Sequence, residues 1–299
     1  YSFAYSLFFS VLAYPTSGTP FVDLHSAFFA LLGIYCLILG IKNEKKLYWI
    51  LLPIFLGFSF LSKQVPSSYV IVSAILTLSI FTLVNKKYYW IKYSSLSTIA
   101  FIVVLAIFGK IQGINLSSFL EQYIFYPQTI GTERIASYTF TLKGVIYHFK
   151  FIYIALIPLF IINFKQIFVQ KNYLKHKNFY YFLILTLFTF SLILHQILTR
   201  NQTFIFFLIP ILFAYSHIYL SLPKSNLIKV TQIVLVLICL FAVAKYHIRF
   251  NEGRKFHELN YVNFDLSSNG KEIDEKFRGL KWITPEFKNN AKEEINLIN

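Results

Sequence analysis

The residues able to do chemistry in this chain are few, and they sit at corresponding ends of its apolar runs. Asp23, Glu121 and Glu133 are three of only four carboxylates in the first 247 residues, and Lys63, Gln64, Arg134, His195, Arg200 and Asn201 accompany them. A carboxylate can take the proton of an acceptor hydroxyl during group transfer. A lysine or arginine can hold a phosphate, arginine with two parallel hydrogen bonds, and so offset the negative charge developing on a leaving group. Asp23 could also help hold a divalent cation, although such a site needs three or more ligands. His25 follows two residues later, about 200° round a helix, so both face one cavity only if 20–23 is still extended. Pro20 favours that.

Each of these residues also has a plainer role. Asp23 is placed to cap a helix and meet its dipole. Lys63 and Arg200 can snorkel to a membrane interface on their long stems. Ser118 and Glu121 have capping-box spacing, so Glu121 can serve a helix start rather than a substrate. His195 shares the end of its run with Gln196, Thr199 and Arg200, and Gln196 and Arg200 are neighbours at i, i+4. Asn115-Leu-Ser and Asn201-Gln-Thr fit the glycosylation acceptor pattern, which is common by chance.

The elements that must position these groups are read from composition. Apolar residues make up 56% of 299 residues and charged residues 14%, against roughly 25% charged in soluble domains. A chain of this size cannot hide that much apolar surface from water, so lipid must cover part of it. The reading is an all-α polytopic membrane protein. The formal charge of +15 is no nucleic-acid footprint, because residues 248–299 hold nine Lys/Arg and nine Asp/Glu. The first 247 residues hold nineteen Lys/Arg against four acids, dispersed between apolar runs. Cys36 and Cys239 lie inside apolar runs and form no C-x-x-C, which gives neither a disulfide framework nor a thiolate metal site.

Nine spans are expected, at 1–13, 22–41, 47–62, 66–84, 95–110, 149–164, 179–198, 203–221 and 228–247, the first too short to cross a bilayer, as a truncated span would be, and all helical because backbone groups in lipid must bond within their own segment. Residues 1–247 form the transmembrane domain and 248–299 a soluble tail, with Thr284-Pro285-Glu286 as a helix start. Twelve lysines alternate onto one side of the spans and six basic residues onto the other, so the twelve mark the cytoplasm. The outer face then receives 14–21, 63–66, 111–148, 199–202 and the tail. Loop 111–148 is too long for a simple connector, and 118–126 reads as a short interfacial helix stopped by Pro127. The chain has no Met and opens inside an apolar run, so an N-terminal piece is expected before Tyr1, and the C-terminus is expected to be cut as well.

Two stretches carry a resemblance. Gly57-Phe-Ser-Phe-Leu-Ser-Lys63, at the outer end of one span, resembles the "GLAFLTK" stretch of GT-C membrane glycosyltransferases. That class includes the protein O-mannosyltransferases and the aminoarabinose–lipid A transferases. Thr19-Pro-Phe-Val-Asp23-Leu-His-Ser is similar to the class's short Asp-containing segment before its fourth helix. Order, spacing and helix parity fit if two helices precede this chain, and the likeness extends over about residues 1–221 as a helix pattern. The resemblance implies transfer of a sugar from a polyprenyl-phosphate-linked donor to a glycan, lipid or protein acceptor, on the outer face of the cytoplasmic membrane. It makes Lys63 a phosphate ligand and Asp23, with His25, an accessory catalytic group. Gln64, Glu121, Arg134, His195 and Arg200 become substrate-binding candidates. The class's main catalytic carboxylate lies on a first outer loop that this chain does not contain.

A polysaccharide polymerase, ligase or transporter of the cell envelope is the competing enzyme or carrier class, and a non-enzymatic membrane subunit the third. Transporters tend to show internal repeats and broken helices with polar residues at midplane, and neither is evident in the sequence. A polymerase would be expected to gather several arginines in one outer loop, whereas 111–148 contains only Arg134. The orientation is directly testable. A cysteine placed at Lys175 should label only from the cytoplasmic side in intact cells, and one at Gln128 only from outside. Labelling of position 175 from outside would invert the topology.

Overall fold

The computed structural model describes residues 1–13, 22–137, 141–199, 205–220, 226–249, 263–283 and 292. Apolar helices account for most of residues 1–249. They are α1 (Ser2–Ala13), α2 (Val22–Asn43), α3 (Lys46–Ser62), α4 (Gln64–Asn85), α5 (Tyr89–Ile111), α8 (Lys150–Val169), α9 (Lys177–Thr199), α10 (Leu208–Leu220) and α11 (Asn226–His247). Six of them, α2, α4, α5, α8, α9 and α11, are long and apolar enough to cross a membrane. Six of the nine expected spans thus have the length and apolarity of a membrane crossing among the described residues, and α1, α3 and α10 are shorter apolar helices. Among the described residues α3 and α10 have 17 and 13 residues, which at about 1.5 Å per residue is less than a hydrocarbon layer about 30 Å thick, and α1, from the run already too short to cross, has 12.

Burial shows how the helices divide between a shared interior and lipid. Leu37, Trp49, Phe81, Ile152, Phe188, Phe207 and Tyr246, from seven different parts of the chain, belong to one buried cluster. By contrast, α5 buries only Ser97, while Ile99, Val103, Ile107 and Phe108 are exposed. A helix apolar on all sides and buried on almost none is stable only if hydrocarbon covers it. Its polar contacts lie in its first turns: Ser94 and Ser97 donate to the α3 carbonyls of Trp49 (3.0 Å) and Ile50 (2.7 Å), and Trp90 Nε1 donates to Thr82 Oγ1 of α4 at 2.9 Å.

Between lipid-bathed helices the hydrophobic effect drives little association, so close backbone approach matters. Gly33 and Gly40 lie two turns apart on one face of α2, and α3 fills the space a side chain would take. A Cβ on Gly40 would sit 2.8 Å from the Trp49 ring, and one on Gly33 would sit 2.9 Å from a Leu56 methyl. Gly57 does the same for α5, against the ring of Phe101.

Loop 111–148 departs from its expected form. Helix α6 (Leu116–Leu120) starts two residues earlier, capped by Asn115, whose side chain accepts from the Ser117 N–H (2.9 Å). Ser118 is inside the helix, so the capping box with Glu121 does not form. A π-turn (Glu121–Phe125) then leads into α7 (Tyr126–Ser137). Pro127 does not stop the helix, because it falls in the first turn of α7, where proline is tolerated. Residues 252–299 form a separate unit, whose described part pairs β1 (Ser268–Asn269) antiparallel with β2 (Lys281–Trp282). The helix start expected at Thr284 lies outside the described residues.

Gly40→Ala should destabilise the protein by about 1–3 kcal/mol, since the rigid, fully buried indole of Trp49 cannot step aside. Gly33→Ala should cost less, because the Leu56 methyl can rotate away. Thermal unfolding of the two variants in detergent should show that order, and the reverse order would contradict the packing described.

Candidate functional site

The sequence break between α3 and α4 organises one end of the bundle. Lys63 is extended (φ −162°, ψ 129°) and serves at once as C-cap of α3 and N-cap of α4. Ending α3 at Ser62 leaves its last carbonyls without helical donors. Tyr123 on the π-turn answers this: its hydroxyl donates toward the carbonyls of Phe60 (2.8 Å) and Leu61. Burial pushes the Tyr123 phenol above the usual tyrosine value, so it remains a donor. Phe119 stacks on the Tyr123 ring at 5.1 Å, and Phe60 meets it edge-on. Gln64 completes the junction. Pro127 has no N–H to give to the carbonyl of Tyr123 four residues back, and Gln64 Nε2 donates to that carbonyl at 3.1 Å.

Against this junction lies the first turn of α2. Lys63 Nζ donates to both carboxylate oxygens of Asp23, each at 2.7 Å. His195 on α9 places Nε2 2.8 Å from Asp23 Oδ1. Asp23 is therefore held by two elements besides its own, with its side chain 12% exposed and that of Lys63 29%. A largely desolvated pair of this kind couples more strongly than a surface ion pair, and removing one partner leaves a costly unpaired charge. With Asp23 ionised and Lys63 protonated, a neutral His195 donating from Nε2 leaves the cluster with no net charge. Lys63 keeps a third N–H and partial exposure, which lets it reach a further anion.

Directly behind the ion pair, three buried hydroxyls join the same helices. Ser67 Oγ lies 2.7 Å from Ser26 Oγ and 2.6 Å from Ser59 Oγ, and it donates to the Lys63 carbonyl at 2.7 Å. Ser59 donates to the Ser26 carbonyl at 2.7 Å. The two stretches singled out from the sequence thus pack against each other through Asp23–Lys63 and Ser26–Ser59. The serines were not foreseen as part of the site. Their only signal is spacing, since Ser59, Lys63 and Ser67 recur every four residues.

The remaining candidates divide. Asp23, Lys63 and His195 meet, and Gln64 anchors loop 111–148 beside them through the Tyr123 carbonyl. His25 does not join: α2 is already helical at Val22, so Asp23 turns inward and His25 is exposed. Glu121 is exposed on the π-turn, and no ion pair reaches it among the described residues. The backbone places Arg134 on α7, and Arg200 and Asn201 lie outside the described residues. A cation site on Asp23 is not built here. Its oxygens already serve Lys63 and His195, and no group of three or more His, Cys, Asp or Glu able to hold a metal occurs among the described residues. No family model, curated protein or solved structure matches this chain.

Tyr123→Phe keeps the ring contacts and removes only the hydroxyl. It should free loop 111–148 from the α3–α4 junction at a cost of about 1–3 kcal/mol, the penalty for buried carbonyls left unpaired. Limited proteolysis within 111–148 should become several-fold faster while the unfolding midpoint of the helical part moves little. An unchanged cleavage rate would show that the hydroxyl does not hold the loop.

Proposed function

We propose that this chain is a membrane glycosyltransferase that uses a polyprenyl-phosphate-linked sugar and works on the outer face of the cytoplasmic membrane. In this reading α1, α3 and α10 complete a nine-span bundle of GT-C type. The observation that carries the proposal is the cluster of Asp23, Lys63 and His195 at the ends of α2, α3 and α9, in which Asp23 and Lys63 come from the two stretches that resemble that class and His195 joins them from α9. An ionisable cluster at the end of lipid-embedded helices is expensive and is kept where it meets a substrate.

The chemistry follows from the pairing. A lipid-linked sugar leaves as its polyprenyl phosphate, so negative charge grows on the phosphate oxygens as the glycosidic bond breaks. Lys63 supplies a cation for that charge. Its ammonium is engaged by Asp23, so the donor phosphate competes with the carboxylate for the same head group. Once the phosphate takes Lys63, Asp23 remains bonded to His195 through Oδ1, and Oδ2 is released to accept the proton of the acceptor hydroxyl. His195 then acts as a positioning residue for the carboxylate. Gln64 and Tyr123 hold the outer loop over this end, where the loop can limit water.

The test is transfer from a polyprenyl-phosphate sugar by the full-length protein in proteoliposomes. Lys63→Ala should lower transfer by roughly 10- to 150-fold, the loss of a charge-assisted hydrogen bond of about 1.5–3 kcal/mol. Asp23→Asn should lower turnover roughly 100-fold or more. The same variant should bind the donor more tightly, because Lys63 has lost its competing anion. A purely structural ion pair predicts the opposite for binding. Full activity in both variants would remove this cluster from the reaction.

A further inference from the structure

The opposite end of α2 carries a second charged assembly with a different logic. The α2–α3 turn, the α4–α5 turn and the segment before α9 (residues 42–46, 86–92 and 171–177) hold nine lysines and one carboxylate, Glu44. Glu44 stands in the left-handed region (φ 56°) at that first turn. From there its Oε1 accepts from Lys87 at 2.6 Å and pairs with Lys177 at 3.0 Å. Lys177 also donates to the Lys42 carbonyl at 3.0 Å. One acid thus ties three connections together, and Lys87 and Lys177 hold its carboxyl below the usual carboxylate range.

Glu44 cannot balance the rest. Lys45, Lys86, Lys92 and Lys175 are exposed and have no ion pair among the described residues. Lys46 stands over the Tyr93 ring at 5.4 Å. At the same level, interleaved with the lysines, lie Tyr48, Tyr88, Trp90 and Tyr93, all partly or fully exposed. Aromatic residues with a polar edge settle at the level of lipid head groups. The lysines are therefore fixed at the depth where lipid phosphates lie, not out in the aqueous phase where a soluble partner would meet them.

We propose that this face is a binding site for anionic phospholipid head groups, with Glu44 gathering the three connections so that their unpaired lysines present one phosphate-binding surface. The site is independent of the Asp23 cluster and of any activity assigned to it. Its ligand chemistry is a phosphodiester carrying net negative charge and anchored by acyl chains. Attraction of this kind falls with ionic strength and amounts to roughly a five-fold change per lysine near the surface.

Trp49 and Trp90 report on this end, and Trp282 is the third tryptophan. Trp282→Phe in the full chain leaves only the two reporters. The protein is reconstituted into vesicles of phosphatidylcholine and phosphatidylglycerol, with bromine, a quencher of indole fluorescence, on the acyl chains of one lipid at a time. The expected result is stronger quenching by brominated phosphatidylglycerol at equal mole fraction, a several-fold preference that declines as sodium chloride is raised. The combined K45Q, K86Q and K92Q variant should bring that preference close to one. Equal quenching by the two lipids at low salt would overturn the proposal, and so would a preference that the triple variant retains. Millimolar inorganic phosphate should do no more than chloride at the same ionic strength. If phosphate alone abolished the preference, the site would be one for a free anion and the lipid assignment would fall.

Discussion

The interruption of the helix at Lys63 is the constraint on which the rest of this end of the protein depends. A helix that stops beside lipid strands carbonyl groups that no water satisfies, each at a cost of about 1–3 kcal/mol when buried. Three surrounding features are answers to that cost. Ser67 takes the Lys63 carbonyl, Tyr123 covers those of Phe60 and Leu61, and the Lys63 N–H closes on Ser59 at 3.1 Å. The same interruption leaves the Lys63 side chain at the bundle end with Asp23 as its partner. A continuous helix through 63 would have needed neither the docked loop nor the serine cluster.

Helix α2 connects the two charged assemblies. Asp23 and Ser26 are in its first turns, Gly33 and Gly40 set its distance from α3, and Glu44 follows its last residue. At Gly33 and Gly40 the α2 backbone lies directly against α3 side chains, among them the rigid Trp49 indole. A displacement at either end is therefore carried by a stiff element rather than absorbed by soft side-chain packing.

Helix positions were legible in the sequence because long apolar runs leave the backbone one way to satisfy itself in lipid. Helix lengths were less so. Composition locates an apolar segment but does not say where the backbone stops, and among the described residues α10 begins only at Leu208, inside its apolar run, for that reason. The shortness of α1 was already visible in its run, and α3 matches its own run to within a residue. The chemical candidates Asp23, Lys63 and His195 were legible because ionisable groups are rare near lipid. Their mutual contact was not, since it joins residues 40 and 172 positions apart. His25 failed on a single local fact, the helical state of Val22 and Asp23. The capping box at Ser118 failed to a stronger competitor, as Asn115 caps the same helix earlier. Pro127 looked like a terminator because its position within the first turn depends on a π-turn that no sequence pattern announces.

The serine cluster has an electrical consequence. Each hydroxyl of Ser26, Ser59 and Ser67 has one hydrogen: Ser59 and Ser67 can donate to the carbonyls of Ser26 and Lys63 while Ser26 donates to Ser67, or one of them can turn from its carbonyl to a neighbouring hydroxyl, so at least two proton arrangements fit the same heavy atoms. Rotating one hydroxyl reverses a dipole without moving a helix. The interior behind Lys63 is therefore polarisable in a way that packed hydrocarbon is not. When the charge opposite Lys63 changes from a carboxylate to any other anion, or to none, these dipoles can reorient within the timescale of a bond rotation. The local dielectric response is supplied by three small side chains, in a region from which water, the usual supplier, is excluded.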